Sequence, residues 1–266
     1  PRHEPSGRAR EGMRICGLWG KDEHGTIEMT EIGSPQVLGV KPRPGRVHRA
    51  VRLPFALEKT DCLLVVDVQN DFCPGGALAV GEGDMVVPLV NGLVEQFTKV
   101  GACIVYSQDW HPAGHSSFAS VHAGKKPLEC VDMPYGPQTL WPDHCIQNTP
   151  GAEFHRDVTV PAECVVVRKG YNPAVDSYSA FYENDRTTST GLMDKLKSLS
   201  IKRVCVVGLA YDFCVKFTAE DAATRGGFAT WVLRDATRPV INEPGALQAV
   251  AASLKEAKVQ LADCGA

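Results

Sequence analysis

The strongest constraint on the fold is a repeated alternation between short apolar runs and longer amphipathic segments. The segments 84–100, 191–198, 212–225 and 243–258 have the character of helices. Strands separated by helices pair in parallel, because each crossover helix covers a face of the sheet. The sequence therefore predicts a three-layer α/β/α fold with a mostly parallel sheet of about six strands. The predicted strands are CLLVVDV (62–68), CIVYSQD (103–109), CVVVRKG (164–170), RVCVVGLA (203–210), TWVLRDA (230–236) and VQLAD (259–263).

The first 59 residues differ from the rest of the chain. They are rich in Pro, Gly and Arg and have no sustained period of 2 or 3.6. We interpret residues 1–59 as an N-terminal extension, either partly disordered or added to the natural chain, and residues 60–266 as one folded domain.

Charge and composition exclude several functions. The net charge of -3 gives no basic field for nucleic acid or an anionic membrane, and no apolar run reaches membrane-spanning length. The start of the chain also lacks a signal-peptide pattern, so we expect a cytoplasmic protein that binds a small molecule. Several of the ten cysteines border or lie within the strand-like runs, which is typical of reduced core thiols. The sequence leaves open whether the chain forms a homo-oligomer.

Reactive side chains follow the predicted strands. Asp67, Asp109, Lys169 and Cys214 come at or just after the ends of the first four runs. In open parallel sheets the functional groups collect at this edge, so a thiol, a proton acceptor and a cation should meet there. Asp212 is the expected N-cap of the helix that begins near Cys214. The alternative for Cys214 is an ordinary core cysteine.

The stretch SQDWHPAGHSSF, residues 107–118, indicates a metal site. Asp109 and His111 are two residues apart, so their side chains leave an extended segment on the same side. His144, from the long insertion 119–161, can supply a third ligand, and this set suits zinc, iron or manganese. The alternative is that the loop histidines only form hydrogen bonds with backbone groups. For His115, binding the metal and supporting another ligand are both open.

Five stretches, in this order, resemble the nicotinamidase/pyrazinamidase family of isochorismatase-like cysteine hydrolases. The likeness covers about residues 60–266, which it identifies as a hydrolase domain. The matching stretches are DVQNDFCPGGALAV, SQDWHPAGHSSF, LWPDHCIQNTPGAEFH, RKGYNPAVDSYSAF and GLAYDFCVKFTAEDA.

The resemblance implies roles for these residues. It implies a catalytic triad of Asp67, Lys169 and Cys214, and one divalent metal, commonly zinc, with iron or manganese as alternatives. It also implies a cis peptide between Leu209 and Ala210. The remaining implied roles are metal ligation by Asp109, His111 and His144, an oxyanion hole from the N–H groups of Ala210 and Cys214, and a pyridine ring held between Phe72 and Trp141.

The implied reaction is hydrolysis of nicotinamide to nicotinate and ammonia through a thioester, as in NAD salvage, with pyrazinamide as a second substrate. Other members of the superfamily, an isochorismatase or an amidase for carbamoylated amines, lack the metal set, which argues against them. A noncatalytic protein with structural zinc and a redox-sensing Cys214 is the alternative from another class; structural zinc requires a fully protein-ligated metal.

Overall fold

The computed structural model of the protein describes residues 48–265. The strands are β1 (Asp61–Val66), β2 (Cys103–Asp109), β3 (Cys130–Met133), β4 (Gly136–Thr139), β5 (Val165–Lys169), β6 (Arg203–Leu209), β7 (Ala229–Arg238) and β8 (Gln260–Ala262). The α-helices are α1 (Val87–Val100), α2 (Leu192–Ser198), α3 (Lys216–Thr224) and α4 (Pro244–Glu256). No helix among the described residues is long and apolar enough to cross a bilayer.

The main sheet has six strands in the order β5-β2-β1-β6-β7-β8, and every pairing in it is parallel. Helix α1 packs on one face, while α2, α3 and α4 pack on the other. Each of the six residues of β1 is buried, because helices cover both faces of this central strand. The predicted three-layer α/β/α fold is confirmed.

Local signals explain where α1 begins and ends. Pro88 lies in its first turn, where a missing N–H costs nothing. Gly101 ends the helix in the left-handed conformation, with φ 71°, and its N–H donates to the carbonyl of Phe97.

The long insertion has more order than the sequence predicted. Its Pro and Gly content does prevent α-helices, but β3 and β4 form an antiparallel hairpin within it. This hairpin brings Gln138, which is fully buried, against the loop that follows β5.

The N-terminal extension lies mainly outside the described residues, since residues 1–47 are not among them. Residues 48–59 contact the domain. Val51 pairs with Gly265 in an antiparallel bridge, and the ring of Phe55 lies 5.2 Å from that of Trp231. We therefore propose that the packed domain begins before residue 60.

Candidate active site

The predicted reactive residues lie together at the carboxyl-terminal edge of the sheet. Asp67 follows β1 directly, Asp109 ends β2 and Lys169 ends β5. Cys214 lies in the turn after β6. From β1 the strand order continues through β2 to β5 on one side, and from β6 it continues through β7 to β8 on the other. The strand order thus reverses between β1 and β6, and open α/β sheets bind ligands at such a point.

Lys169 is the centre of this cluster. Its side chain is fully buried, and Asp109 is its direct partner in the register of β2 and β5. Its Nζ lies 2.8 Å from Oδ2 of Asp67 and 2.5 Å from Oδ1 of Asp109. The same Nζ lies 3.3 Å from Sγ of Cys214 and donates to the carbonyl of Ser177 at 2.9 Å. One ammonium thus contacts both carboxylates and the thiol.

The pKa values follow from this burial and pairing. Burial acts to lower the pKa of Lys169, but the carboxylates of Asp109 and Asp67 outweigh it and hold that pKa well above its usual value. Burial acts to raise the pKa of Asp109, but Lys169 and His111 hold it well below its usual value. Lys169 and Asp109 are therefore both charged at neutral pH.

Asp67 and Cys214 are shifted mainly by desolvation. Burial raises the pKa of Asp67 to about 6, against the opposing charge of Lys169. Burial also raises the pKa of the Cys214 thiol well above its usual value, again against Lys169. At neutral pH the pair is thus a carboxylate and a thiol, and Asp67 can accept a proton. The hydroxyl of Ser107 donates to Oδ1 of Asp67 at 2.7 Å.

The backbone around Cys214 is a π-helical turn, Tyr211–Val215, that continues into α3. The peptide bond between Leu209 and Ala210 is cis, which confirms that expectation. N–H groups in the first turn of a helix lack acceptors within the helix, so the backbone at this turn can donate to an oxyanion.

The predicted N-cap role of Asp212 is wrong. The carboxylate of Asp212 instead accepts the N–H groups of Val240 at 2.9 Å and Ile241 at 2.8 Å. Ala210 precedes the turn, and no side chain caps it. Asp212 therefore fixes the segment after β7 against the turn that carries Cys214, a long-range contact that local sequence cannot reveal.

Asp109, His111 and His144 could hold a metal. Their ligand atoms lie within 4.8 Å of one another, and Oδ2 of Asp109 is 3.7 Å from Nε2 of His111 and 3.8 Å from Nε2 of His144. Nδ1 of His111 faces the carbonyl of Gly170 at 2.9 Å, and Nδ1 of His144 faces that of Pro142 at 2.8 Å. A carbonyl only accepts, so each Nδ1 carries the proton and each Nε2 offers a lone pair. The donor set fits a divalent cation.

His115 is buried beside His111, with the ring centroids 4.5 Å apart, but both of its nitrogens are engaged. Nε2 lies 2.8 Å from the carbonyl of Asn172 and must donate to it. Nδ1 then accepts from the hydroxyl of Ser117 at 2.8 Å. In this arrangement His115 supports His111 by packing and offers no free lone pair.

A narrow cavity of about 20 Å³ lies above the cluster. Phe72 and Trp141 both line it, as do Asp109, His111, His144 and Cys214. Other residues also line the cavity but were not predicted from the sequence to do so. They are Leu78, Asp176, Tyr178, Phe213, Val240 and Ala210, for which only a role of the backbone N–H was predicted. Tyr178 and Phe213 lie within the motif stretches RKGYNPAVDSYSAF and GLAYDFCVKFTAEDA. Their place in these motifs could have identified them as cavity residues.

Two side chains after β1 hold the segments that carry Asp109 and His144. The amide of Gln69 donates to the carbonyls of Asp109 at 2.8 Å and Ala152 at 2.9 Å, and its oxygen accepts the N–H of Asp109 at 2.8 Å. The carboxylate of Asp71 accepts the N–H of Cys145, next to His144, at 2.7 Å.

The region that carries this site is similar in sequence to known proteins. Residues 61–259 match the isochorismatase domain family. A nicotinamidase of Acinetobacter baylyi is 48% identical over 70% of this chain and 84% of its own length.

Solved structures are similar over the same region. The nicotinamidase/pyrazinamidase of Acinetobacter baumanii superposes with a TM-score of 0.74 at 45% identity, covering 78% of this chain and 98% of that one. A pyrazinamidase of Pyrococcus horikoshii in complex with zinc gives a TM-score of 0.64 at 36% identity, covering 77% of this chain and 99% of that one.

Proposed function

Because the chain belongs to the isochorismatase family, we propose that this site hydrolyses nicotinamide to nicotinate and ammonia, with Cys214 as the nucleophile. The observation that carries the proposal is the position of Lys169, whose Nζ contacts Asp67, Cys214 and the metal-ligand candidate Asp109 at once. A thiol that lines one small cavity, with a base and a cation buried beside it, supplies the groups that amide cleavage through a thioester requires. Pyrazinamide is a second expected substrate.

The chemical steps follow from the positions of these side chains. The substrate ring lies between Phe72 and Trp141, with its carboxamide carbon facing Cys214. Asp67 takes the thiol proton as sulfur adds to that carbon, and Lys169 stabilises the negative charge. The N–H groups of Ala210 and Cys214 stabilise the oxyanion, each by about 3 kcal/mol.

The second half of the reaction restores the thiol. Asp67 returns the proton to the leaving nitrogen, the C–N bond of the tetrahedral adduct breaks, and ammonia departs to leave the thioester on Cys214. Asp67 then takes a proton from water, which attacks the acyl carbon and releases nicotinate, and the proton passes to the Cys214 sulfur. Since the nucleophile must be a reduced thiol, we also propose a cytoplasmic location.

The metal in this proposal is zinc, held by Asp109, His111 and His144. Support comes from the one-carboxylate, two-imidazole donor set and from the zinc complex of the Pyrococcus horikoshii pyrazinamidase. When bound, the ion supplies a Lewis acid that holds water and the pyridine nitrogen of the substrate. The protein's part is to fix the donors: Gly170 approaches His111 so closely that a Cβ would lie 2.4 Å from its Cε1.

The direct test is ammonia release from nicotinamide by the purified full-length chain, measured beside pyrazinamide and a carbamoylated amine. Release from the two pyridine-type amides, and little from the carbamoylated amine, is the expected result. A folded, metal-loaded protein that releases no ammonia from any of the three would exclude the proposed reaction and favour a noncatalytic role.

We predict that His144→Ala lowers metal affinity by more than about 100-fold. Losing a hydrogen bond that supports a ligand costs about 10- to 100-fold in metal affinity, and losing the ligand itself should cost more. His144 is the best choice because, unlike Asp109, it makes no contact with Lys169 among those described. Metal content after dialysis checks the prediction. The control is His155→Ala, which removes a half-buried histidine outside the cavity; equal metal content in both variants would place the ion elsewhere.

Gln69→Ala is predicted to weaken metal binding by about 10- to 100-fold, because Asp109 loses the amide that fixes its backbone N–H and carbonyl. The adjacent variant Asn70→Ala is the matched control, since that side chain only donates to the exposed carbonyl of Pro150. Metal titration of both variants is the measurement. If Gln69→Ala bound metal as Asn70→Ala does, Gln69 would have no positioning role.

The rate should also depend on pH through Asp67. Its pKa of about 6 predicts that kcat/KM falls as pH drops below about 6 and the base becomes protonated. The Ser107 hydroxyl donates to the ionised carboxylate, so Ser107→Ala should raise this pKa and move the acid limb to higher pH. A pH profile of both proteins measures the shift. An unmoved limb would assign it to another group.

A further inference from the structure

A pair of cysteines lies at the opposite edge of the sheet from the active site. Cys62 in β1 and Cys103 in β2 are direct partners in the parallel register. Their side chains therefore leave the sheet on the same face, where both pack among the residues under α2, α3 and α4. Adjacent strands lie about 4.8 Å apart, so the two Cα atoms are within the range that a disulfide spans.

The two thiols differ in exposure. Cys62 is fully buried, whereas Cys103 is partly exposed and lines an open cavity of about 680 Å³. Lys59 and Lys195 line the same cavity, together with one acid, Glu163. A cavity of this size admits a molecule as large as a peptide disulfide, and the two lysines favour an anionic one.

The electrostatics favour Cys103 as the attacking thiol. The neighbouring Cys62 thiol and the positive charge of Lys195 together lower the pKa of Cys103 despite burial. Cys164 lines the same cavity but differs, since burial raises its pKa to about 11. The thiolate is the nucleophile in thiol–disulfide exchange, so the two cavity cysteines are expected to react differently.

We propose that Cys62 and Cys103 form a redox-reactive dithiol, oxidised by an anionic low-molecular-mass disulfide of the oxidised-glutathione type that enters the cavity beside Lys59 and Lys195. The Cys103 sulfur attacks one sulfur of the small disulfide, forms a mixed disulfide and releases one small thiol. The Cys62 sulfur then attacks the Cys103 sulfur, forms the protein disulfide and releases the second small thiol. Two protein thiols are oxidised and one small disulfide is reduced to two thiols.

The sheet makes this bond reversible. A relaxed disulfide brings its Cβ atoms to about 3.5–4.5 Å, closer than the spacing of the strands, so the bond pulls β1 and β2 together. Strained disulfides are reduced easily, as a reversible cytoplasmic redox site requires. The bond also closes the chain segment between residues 62 and 103, which stabilises the fold.

The test is peptide mapping after incubation of the full chain with oxidised glutathione, alkylation and tryptic digestion without reductant. The expected product joins the tryptic peptides 60–99 and 100–125, the second of which contains only Cys103. Because the first also contains Cys73, Cys73→Ser must retain the cross-link and Cys62→Ser must lose it, leaving a glutathione adduct on Cys103. Cys164→Ser, the matched cavity control, must retain the cross-link.

Thermal unfolding provides a second readout that needs no peptide assignment. The oxidised wild type should unfold at a higher temperature than the reduced protein, dithiothreitol should remove the difference, and Cys103→Ser should show none. Folded wild type that forms no cross-link with excess oxidised glutathione would overturn the proposal. A cross-link that survives in Cys62→Ser, or an adduct that forms on Cys164 in place of Cys103, would overturn it equally.

Discussion

Replacing Cys214 with alanine is expected to lower kcat for nicotinamide hydrolysis by at least about 10⁴-fold, because the covalent step loses its nucleophile. The thiol contacts Lys169 at 3.3 Å at the floor of the cavity, and the described part of the chain offers no second thiol among the cavity-lining residues. Ammonia release under single-turnover conditions measures the loss. Metal content should stay unchanged, since Cys214 is outside the proposed ligand set.

Two controls separate chemistry from folding. Cys130→Ala removes an exposed thiol in β3 and should keep full activity. Cys214→Ser keeps the shape of the side chain but replaces the thiol with a much weaker acid and should be nearly as inactive as the alanine variant. Substantial ammonia release by folded Cys214→Ala would exclude the thioester route.

Lys169→Met should cause the second large effect, on stability as well as rate. The ammonium is the shared partner of two buried carboxylates, 2.8 Å from Asp67 and 2.5 Å from Asp109. Removing one member of a buried ion cluster costs about 3–5 kcal/mol, because the remaining charges stay buried without compensation. We therefore expect an unfolding free energy lower by about that amount in metal-free protein, and kcat at least about 10³-fold lower.

The sign of the pH dependence makes this prediction specific. Without Lys169 the two carboxylates repel each other, so their pKa values rise and protonation relieves the strain. The stability deficit of the Met variant should thus be largest near neutral pH and shrink as pH falls. Denaturant unfolding at several pH values with a chelator present measures it. Lys197→Met, at an exposed position in α2, is the control and should stay within about 0.5 kcal/mol of wild type at every pH.

Much of the fold could be predicted from local pattern. A buried parallel strand is a continuous apolar run and a crossover helix is amphipathic. The order of strands and helices can therefore be predicted from the hydrophobic periodicity of the sequence. The predicted helix starts were less accurate. The 3₁₀ turn Gly83–Val86 precedes α1, and the π-helical turn Tyr211–Val215 precedes α3, so both α-helices begin later than predicted. The hairpin of β3 and β4 was missed because each strand has only 4 residues and most of these are at least partly exposed.

The sequence by itself determined the sheet, the helices and the edge at which Asp67, Asp109, Lys169 and Cys214 collect, because parallel strands place their carboxyl ends together. Only the tertiary structure decided how these groups share contacts. The register of Asp109 with Lys169 lets one ammonium serve both carboxylates, and the carbonyl of Asn172 engages His115. These contacts join residues about sixty to one hundred positions apart in the sequence. Their geometry depends on strand register and loop path, which local periodicity does not encode.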